Sequence, residues 1–273
     1  MIVICLMLLN WGIEAAKWKI AVKVISTVTF SKSVKAIFSG NTLAFFTPNR
    51  TGEYLGRMLY LKKHEMFPSV PLTVICSIAQ VLVTLVTGCI GIIYIKERMS
   101  ARFGEEAIMP WLNMVLYGTA AVSIVLTLFY FRIALLVKWL SGRRWTSRWI
   151  AHLRVLEDVN ATILISILSL SVARYVVFIA QYYLLFSVFG VNINWWQAFW
   201  SVSVVFLVIA VVPSMGFFSE LGVRWHAGIQ LVQLYSPNIT GIFATSLAIW
   251  IINLVVPALI GGLLIMGLKL FRK

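Results

Sequence analysis

Residues Phe45–Leu61 read FFTPNRTGEYLGRMLYL. A proline, two glycines, two arginines and a glutamate stand together at the end of a mostly apolar run. On a soluble protein this would be a surface loop that carries its charges at little cost. The composition of the chain excludes that setting. Of 273 residues, 61% are hydrophobic and 12% charged, against about 25% charged in soluble domains, and the mean hydropathy is +0.94. One water-soluble core cannot bury so much apolar surface, so the chain reads as an integral membrane protein.

Runs of about 20 apolar residues cross a bilayer core. The candidates are 1–24 (polar from Glu14 onward), 68–95, 109–131, 162–189, 195–212 and 239–268. Arg174 lies near the middle of the fourth, and Trp195, Trp196 and Trp200 suggest an interfacial aromatic belt. The first run has no basic leader and its charges follow it, so it reads as a retained helix rather than a cleaved signal.

The formal charge of +14 sits mainly in short loops, which points to cytoplasmic-loop bias and anionic headgroups rather than nucleic acid. Arg132–Arg154 holds six basic residues and no acid, and Lys269, Arg272 and Lys273 close the chain; both segments are expected inside. Lys17–Lys35 and Lys62–Lys63 belong inside too, whereas loop 96–106 balances its charges and is expected outside. These placements force two segments to leave on the side they entered. The expected architecture is therefore an all-α polytopic bundle, one membrane domain over 1–273, with re-entrant hairpins at 31–63 and 195–234 and a basic cytoplasmic segment at 132–158. The same bookkeeping puts Met1 outside, and suggests one helix missing upstream.

The hairpins break at similar polar sets: Pro48, Gly52, Glu53, Gly56, Arg57 and Pro213, Gly216, Glu220, Gly222, Arg224. Interrupted apolar segments at matching places in two halves suggest an inverted pseudo-repeat with a binding site near mid-membrane. Charge at that depth costs at least ~2.5–3.5 kcal/mol, so it pairs or faces a polar path. Glu53 and Arg57, like Glu220 and Arg224, are spaced i,i+4 and able to pair. Two readings stand side by side. The pairs staple the hairpins, or Arg50, Arg57, Arg224 and Arg174 hold a lipid phosphate with planar two-pronged guanidinium groups. Glu14 reads most simply as partner of a neighbouring lysine, and Asn41 and Asn113 as helix–helix hydrogen bonds. Cys5, Cys76 and Cys89 show no metal spacing, and no cofactor or metal is expected.

Three stretches, EAAKWK (Glu14–Lys19), GNTLAFFTPNRTGEYLGR (Gly40–Arg57) and VVPSMGFFSELGVRWHAG (Val211–Gly228), carry a family resemblance. The chain resembles the bacterial lysylphosphatidylglycerol synthase transmembrane family, or flippase-like domain proteins. It departs at Lys17, where the family has arginine, and at Trp225, where it tends to have glutamate after arginine. The chain ends at Lys273, directly after its last helix, so the expectation is the membrane part without an aminoacyl-transferase domain. The resemblance implies a multi-pass protein of the bacterial inner membrane with a cytoplasmic C-terminus. It would bind and translocate an anionic or aminoacylated phospholipid, or a lipid-linked headgroup, at Arg50, Glu53, Arg57, Arg174, Glu220 and Arg224. Its partner is membrane phospholipid, and a homo-oligomer is compatible with the sequence. The alternatives are a non-catalytic subunit that docks a soluble lipid-modifying enzyme through the basic segment, and a membrane-embedded transferase acting on lipid-linked sugar.

Overall fold

The computed structural model describes residues 1–141, 153–212 and 217–270. No strand occurs among them. In chain order they form α1 (Ile2–Val22), α2 (Phe30–Phe45), a 3-10 turn (Pro48–Arg50), α3 (Gly52–Met58), α4 (Lys63–Phe103), α5 (Glu105–Phe131) and α6 (Ile133–Ser141). A second 3-10 turn (Arg154–Asp158) leads into α7 (Ala161–Val188), α8 (Trp195–Val211) and α9 (Phe217–Val232). Then come α10 (Ile239–Trp250), a π turn (Ile251–Val255) and α11 (Val256–Leu270). Pro213 and Gly216, the predicted second break, and residues 142–152 of the basic segment lie outside the described residues.

The fold is an all-helical membrane bundle. Among the described residues, four helices are long and apolar enough to cross a membrane: Lys63–Phe103, Glu105–Phe131, Ala161–Val188 and Ile239–Gly267. α8 is as apolar but shorter, and α1 is long enough but carries Glu14, Lys17 and Lys19. Large apolar side chains stay exposed along α5, among them Trp111, Tyr117, Ile124, Val125 and Leu128. In water such a face would be unstable; in lipid it needs no cover.

Local chemistry sets the helix ends. Asn160, Asn194 and Asn238 cap α7, α8 and α10, their Oδ1 atoms accepting from the N–H of Ile163, Gln197 and Gly241. α2 ends before Pro48, which has no N–H to extend it. Asn49 and Arg50 turn the chain at φ 50° and 57°, the Thr47 hydroxyl accepts from the Gly52 N–H at 2.7 Å, and α3 runs back along α2. A Cβ at Gly56 would stand 2.4 Å from Gly40 Cα, so the two helices meet backbone to backbone. At 1.5 Å per residue the 16 residues of α2 reach about 24 Å and the 7 of α3 about 10 Å, short of a hydrocarbon core of about 30 Å.

α1 lies against α7. The first arm of each hairpin lies on the long helix that follows the other hairpin: α2 on α11, and α8 on α4. Glycines permit both crossings, Gly261 under Phe38 and Thr42 and Gly91 under Trp200 and Val204.

Candidate functional site

α1 places Asn10, Trp11, Glu14, Lys17 and Trp18 on one buried face, the i, i+1, i+4, i+7, i+8 stripe of a helix turned inward. A bundle core of apolar side chains would reject Glu14 and Lys17, which are 4% and 1% exposed. They are tolerated because opposite charges meet them. Glu14 receives Lys17 at 2.7 Å, Arg57 at 2.9 Å and Arg174 at 3.3 Å. Three segments thus converge on one carboxylate: α1 itself, α3 and α7.

The same groups border a cavity of about 340 Å³. Glu14 and Lys17 line it from α1, Arg50 and Glu53 from the first hairpin, Gln80 from α4, Arg174 from α7 and Arg224 from α9. Glu220 stands just behind, bonded to Arg224 at 2.7 Å and 3.9 Å from Arg50. Arg50 therefore spans the two hairpins, which are 170 residues apart in sequence at that contact. Its Nη2 donates to Asn41 Oδ1 at 3.0 Å. Asn41 in turn donates to the Leu254 carbonyl at 3.2 Å, inside the π turn, whose wider ring re-aims backbone groups. Pro257 just beyond it has no N–H with which to restore the α pattern.

Arg174 is wedged between aromatic faces, 5.4 Å from the Trp11 ring and 5.3 Å from Phe178, and its Nε donates to Asn10 Oδ1 at 2.7 Å. It pairs with Glu14, not with Glu220. Arg224 donates from Nη1 to the Tyr182 hydroxyl at 2.7 Å. Arg57 pairs with Glu53 one turn away as well as with Glu14, but it is 2% exposed and does not reach the cavity. Of the six residues singled out in the sequence, Arg50, Glu53, Arg174 and Arg224 therefore line the cavity. Arg57 and Glu220 support its wall. Lys17 and the hub role of Glu14 were missed, although their spacing and burial-prone neighbours on α1 were the available signal. Asn41 bonds between helices as expected and also steadies Arg50; Asn113 accepts from Lys96 at 3.0 Å, joining α4 to α5.

Five cations (Lys17, Arg50, Arg57, Arg174, Arg224) and three carboxylates (Glu14, Glu53, Glu220) form this network, an excess of two positive charges among the described residues. Arg50, at 39% side-chain exposure, is the most accessible and the most loosely paired, with carboxylates no closer than 3.9 Å. Its backbone is held in the left-handed region, as is that of Asn49, where strain is worth keeping only if it aims something. Asn49→Val is accordingly expected to cost about 1–2 kcal/mol and Asn49→Gly nothing, read as thermal stability in detergent.

The model of the lysylphosphatidylglycerol synthase TM region matches residues 1–261. The chain belongs to this family. The match takes in every residue of the charged network and both hairpins, and it ties the chain to a membrane role connected with lipid. No curated protein and no solved structure matches the chain.

Proposed function

We propose that this protein binds the phosphate-bearing headgroup of a membrane lipid in the polar cavity and passes it between leaflets. The observation that supports this reading is the convergence of Arg50, Arg174 and Arg224, from three separate elements, on one cavity with surplus positive charge. Arginine suits the task because its planar fork bonds two phosphate oxygens and stays charged. Charges at membrane depth ordinarily mark a substrate path. In this reading the two hairpins enter from opposite faces as an inverted pair, the C-terminus is cytoplasmic, and the membrane is the bacterial inner membrane. Acyl chains remain in lipid while the headgroup crosses through the cavity. Glu14, Glu53 and Glu220 keep the arginines in place.

The reading is tested in vesicles that hold the protein and a trace of acyl-labelled fluorescent phosphatidylglycerol or phosphatidic acid. Added dithionite bleaches only label it can reach. Wild type is expected to expose the inner-leaflet pool, and Arg50→Ala, which leaves every buried pair intact, to slow that exposure at least tenfold. Equal bleaching by wild type and protein-free vesicles would remove transfer from the account.

A further inference from the structure

We propose that the cavity takes a headgroup with two negative charges on its phosphate oxygens, a phosphomonoester or a diphosphate, in preference to a phosphodiester or an aminoacylated headgroup. This deepens the lipid reading above and rests on it.

The network holds two more cations than carboxylates. Pro213–Gly216, the part of the second hairpin outside the described residues, contains no ionisable side chain that could change the count. Uncompensated buried charge is costly, and a ligand that brings the missing charge is favoured. A dianionic headgroup cancels the surplus. A phosphodiester such as phosphatidylglycerol leaves one positive charge, and a zwitterionic headgroup leaves both. An aminoacylated headgroup adds ammonium to a site that is already positive.

Each carboxylate already carries a cation of the network on at least one oxygen, so such an ammonium would have to compete with an arginine or lysine. Glu14 is shared by Lys17, Arg57 and Arg174. Glu53 is taken by Arg57 and Glu220 by Arg224. The cations are less evenly served. Arg174 has only a share in Glu14, Arg50 has only carboxylates at 3.9 and 4.0 Å, and both line the cavity. Arg224 Nε is buried there without an acceptor. Donors outnumber acceptors in this wall, so its chemistry fits a phosphate rich in oxygen acceptors rather than a headgroup that itself donates.

The test is binding of defined probes to purified protein in a non-ionic detergent, followed by thermal shift and native mass spectrometry. The lipid probes are phosphatidic acid, farnesyl diphosphate, phosphatidylglycerol, phosphatidylethanolamine and lysylphosphatidylglycerol; the soluble probes are phosphate and pyrophosphate. Phosphatidic acid and farnesyl diphosphate are expected to bind at least tenfold tighter than phosphatidylglycerol, about 1.4 kcal/mol. Arg50→Ala is expected to erase the difference and Arg50→Lys to keep it, since charge rather than fork geometry sets it. Phosphatidylglycerol or lysylphosphatidylglycerol binding as tightly, still dependent on Arg50, would overturn the dianion assignment and leave the lipid reading intact. Pyrophosphate matching farnesyl diphosphate would keep the charge assignment and overturn the lipid source. Binding of every probe unaffected by Arg50→Ala would overturn both.

Discussion

Glu14→Ala is expected to leave little folded protein. The substitution takes one carboxylate away from three cations around a buried void, two of them, Lys17 and Arg57, at 1% and 2% exposure; Arg57 keeps Glu53, while Lys17 and Arg174 keep no carboxylate. Breaking a buried pair by removing one member costs about 3–5 kcal/mol, because the remaining charge keeps its desolvation penalty without its partner. Here three partners are affected, and α1, α3 and α7 lose their common anchor. Yield of monodisperse protein by fluorescence-detected size exclusion, and the melting temperature in detergent, report the loss. Glu14→Gln with Lys17→Met should recover part of it, since one carboxylate and one ammonium leave together while Arg57 retains Glu53. If Glu14→Ala instead melts within a few degrees of wild type, water or lipid must compensate those cations, and the hub is not structural.

That prediction could not have been written from the sequence. The Pro/Gly break and the Glu53–Arg57 and Glu220–Arg224 spacings were legible because they are local: a proline ends a helix, and residues four apart share a face. The membrane class was legible from composition, and the spans from apolar runs. The joining of Glu14 to Arg57, 43 residues on, and to Arg174, 160 on, was not, because only the packing of α1 against α2, α4 and α7 brings the three side chains together. The burial of Arg57 has the same origin. Its spacing from Glu53 announced a pair but not which member would face the cavity; the crossing at Gly40 and Gly56 packs Arg57 against Gly40 and leaves Glu53 on the cavity wall. Asn160 and Asn238 look like glycosylation sequons and serve as helix caps, a role that their place before apolar runs could have disclosed. The π turn has a weaker cue. Pro257 marks trouble in the last helix, but only the Asn41–Leu254 bond shows that this distortion reaches Arg50.

Gly261→Ala is expected to be the most damaging of the glycine substitutions, with Gly91→Ala at the crossing of α8 and α4 as its milder comparison. A Cβ at Gly261 would lie 2.0 Å from the Phe38 carbonyl oxygen and 2.3 Å from Thr42 Oγ1. Neither can retreat cheaply, since Phe38 O is backbone and Thr42 Oγ1 donates to the Ala258 carbonyl at 2.7 Å. α2 must lift off α11, dragging Asn41 and with it the support of Arg50. Overpacking of this kind costs typically about 1–3 kcal/mol, occasionally more. At Gly91 the corresponding crossing of α8 over α4 would bring the Cβ to 2.8 Å from Val204 Cγ2 and 2.9 Å from the Trp200 carbonyl oxygen. The first is a side-chain methyl and can give, so the loss should be smaller but of the same kind. Gly12, with nothing within 4 Å of its Cβ position, supplies the control. Gly12→Ala in mid-helix should gain about 0.5–1 kcal/mol by relieving backbone entropy. Melting temperatures in detergent should therefore run Gly12→Ala above wild type, then Gly91→Ala, then Gly261→Ala. The proposed lipid transfer should fall with Gly261→Ala further than stability alone explains, because that crossing is the one that holds Asn41 against the π turn. Equal melting of the Gly12 and Gly261 variants would mean that α2 and α11 do not meet closely at Gly261. The first hairpin would then lose the fixed seat from which Arg50 reaches across to the second.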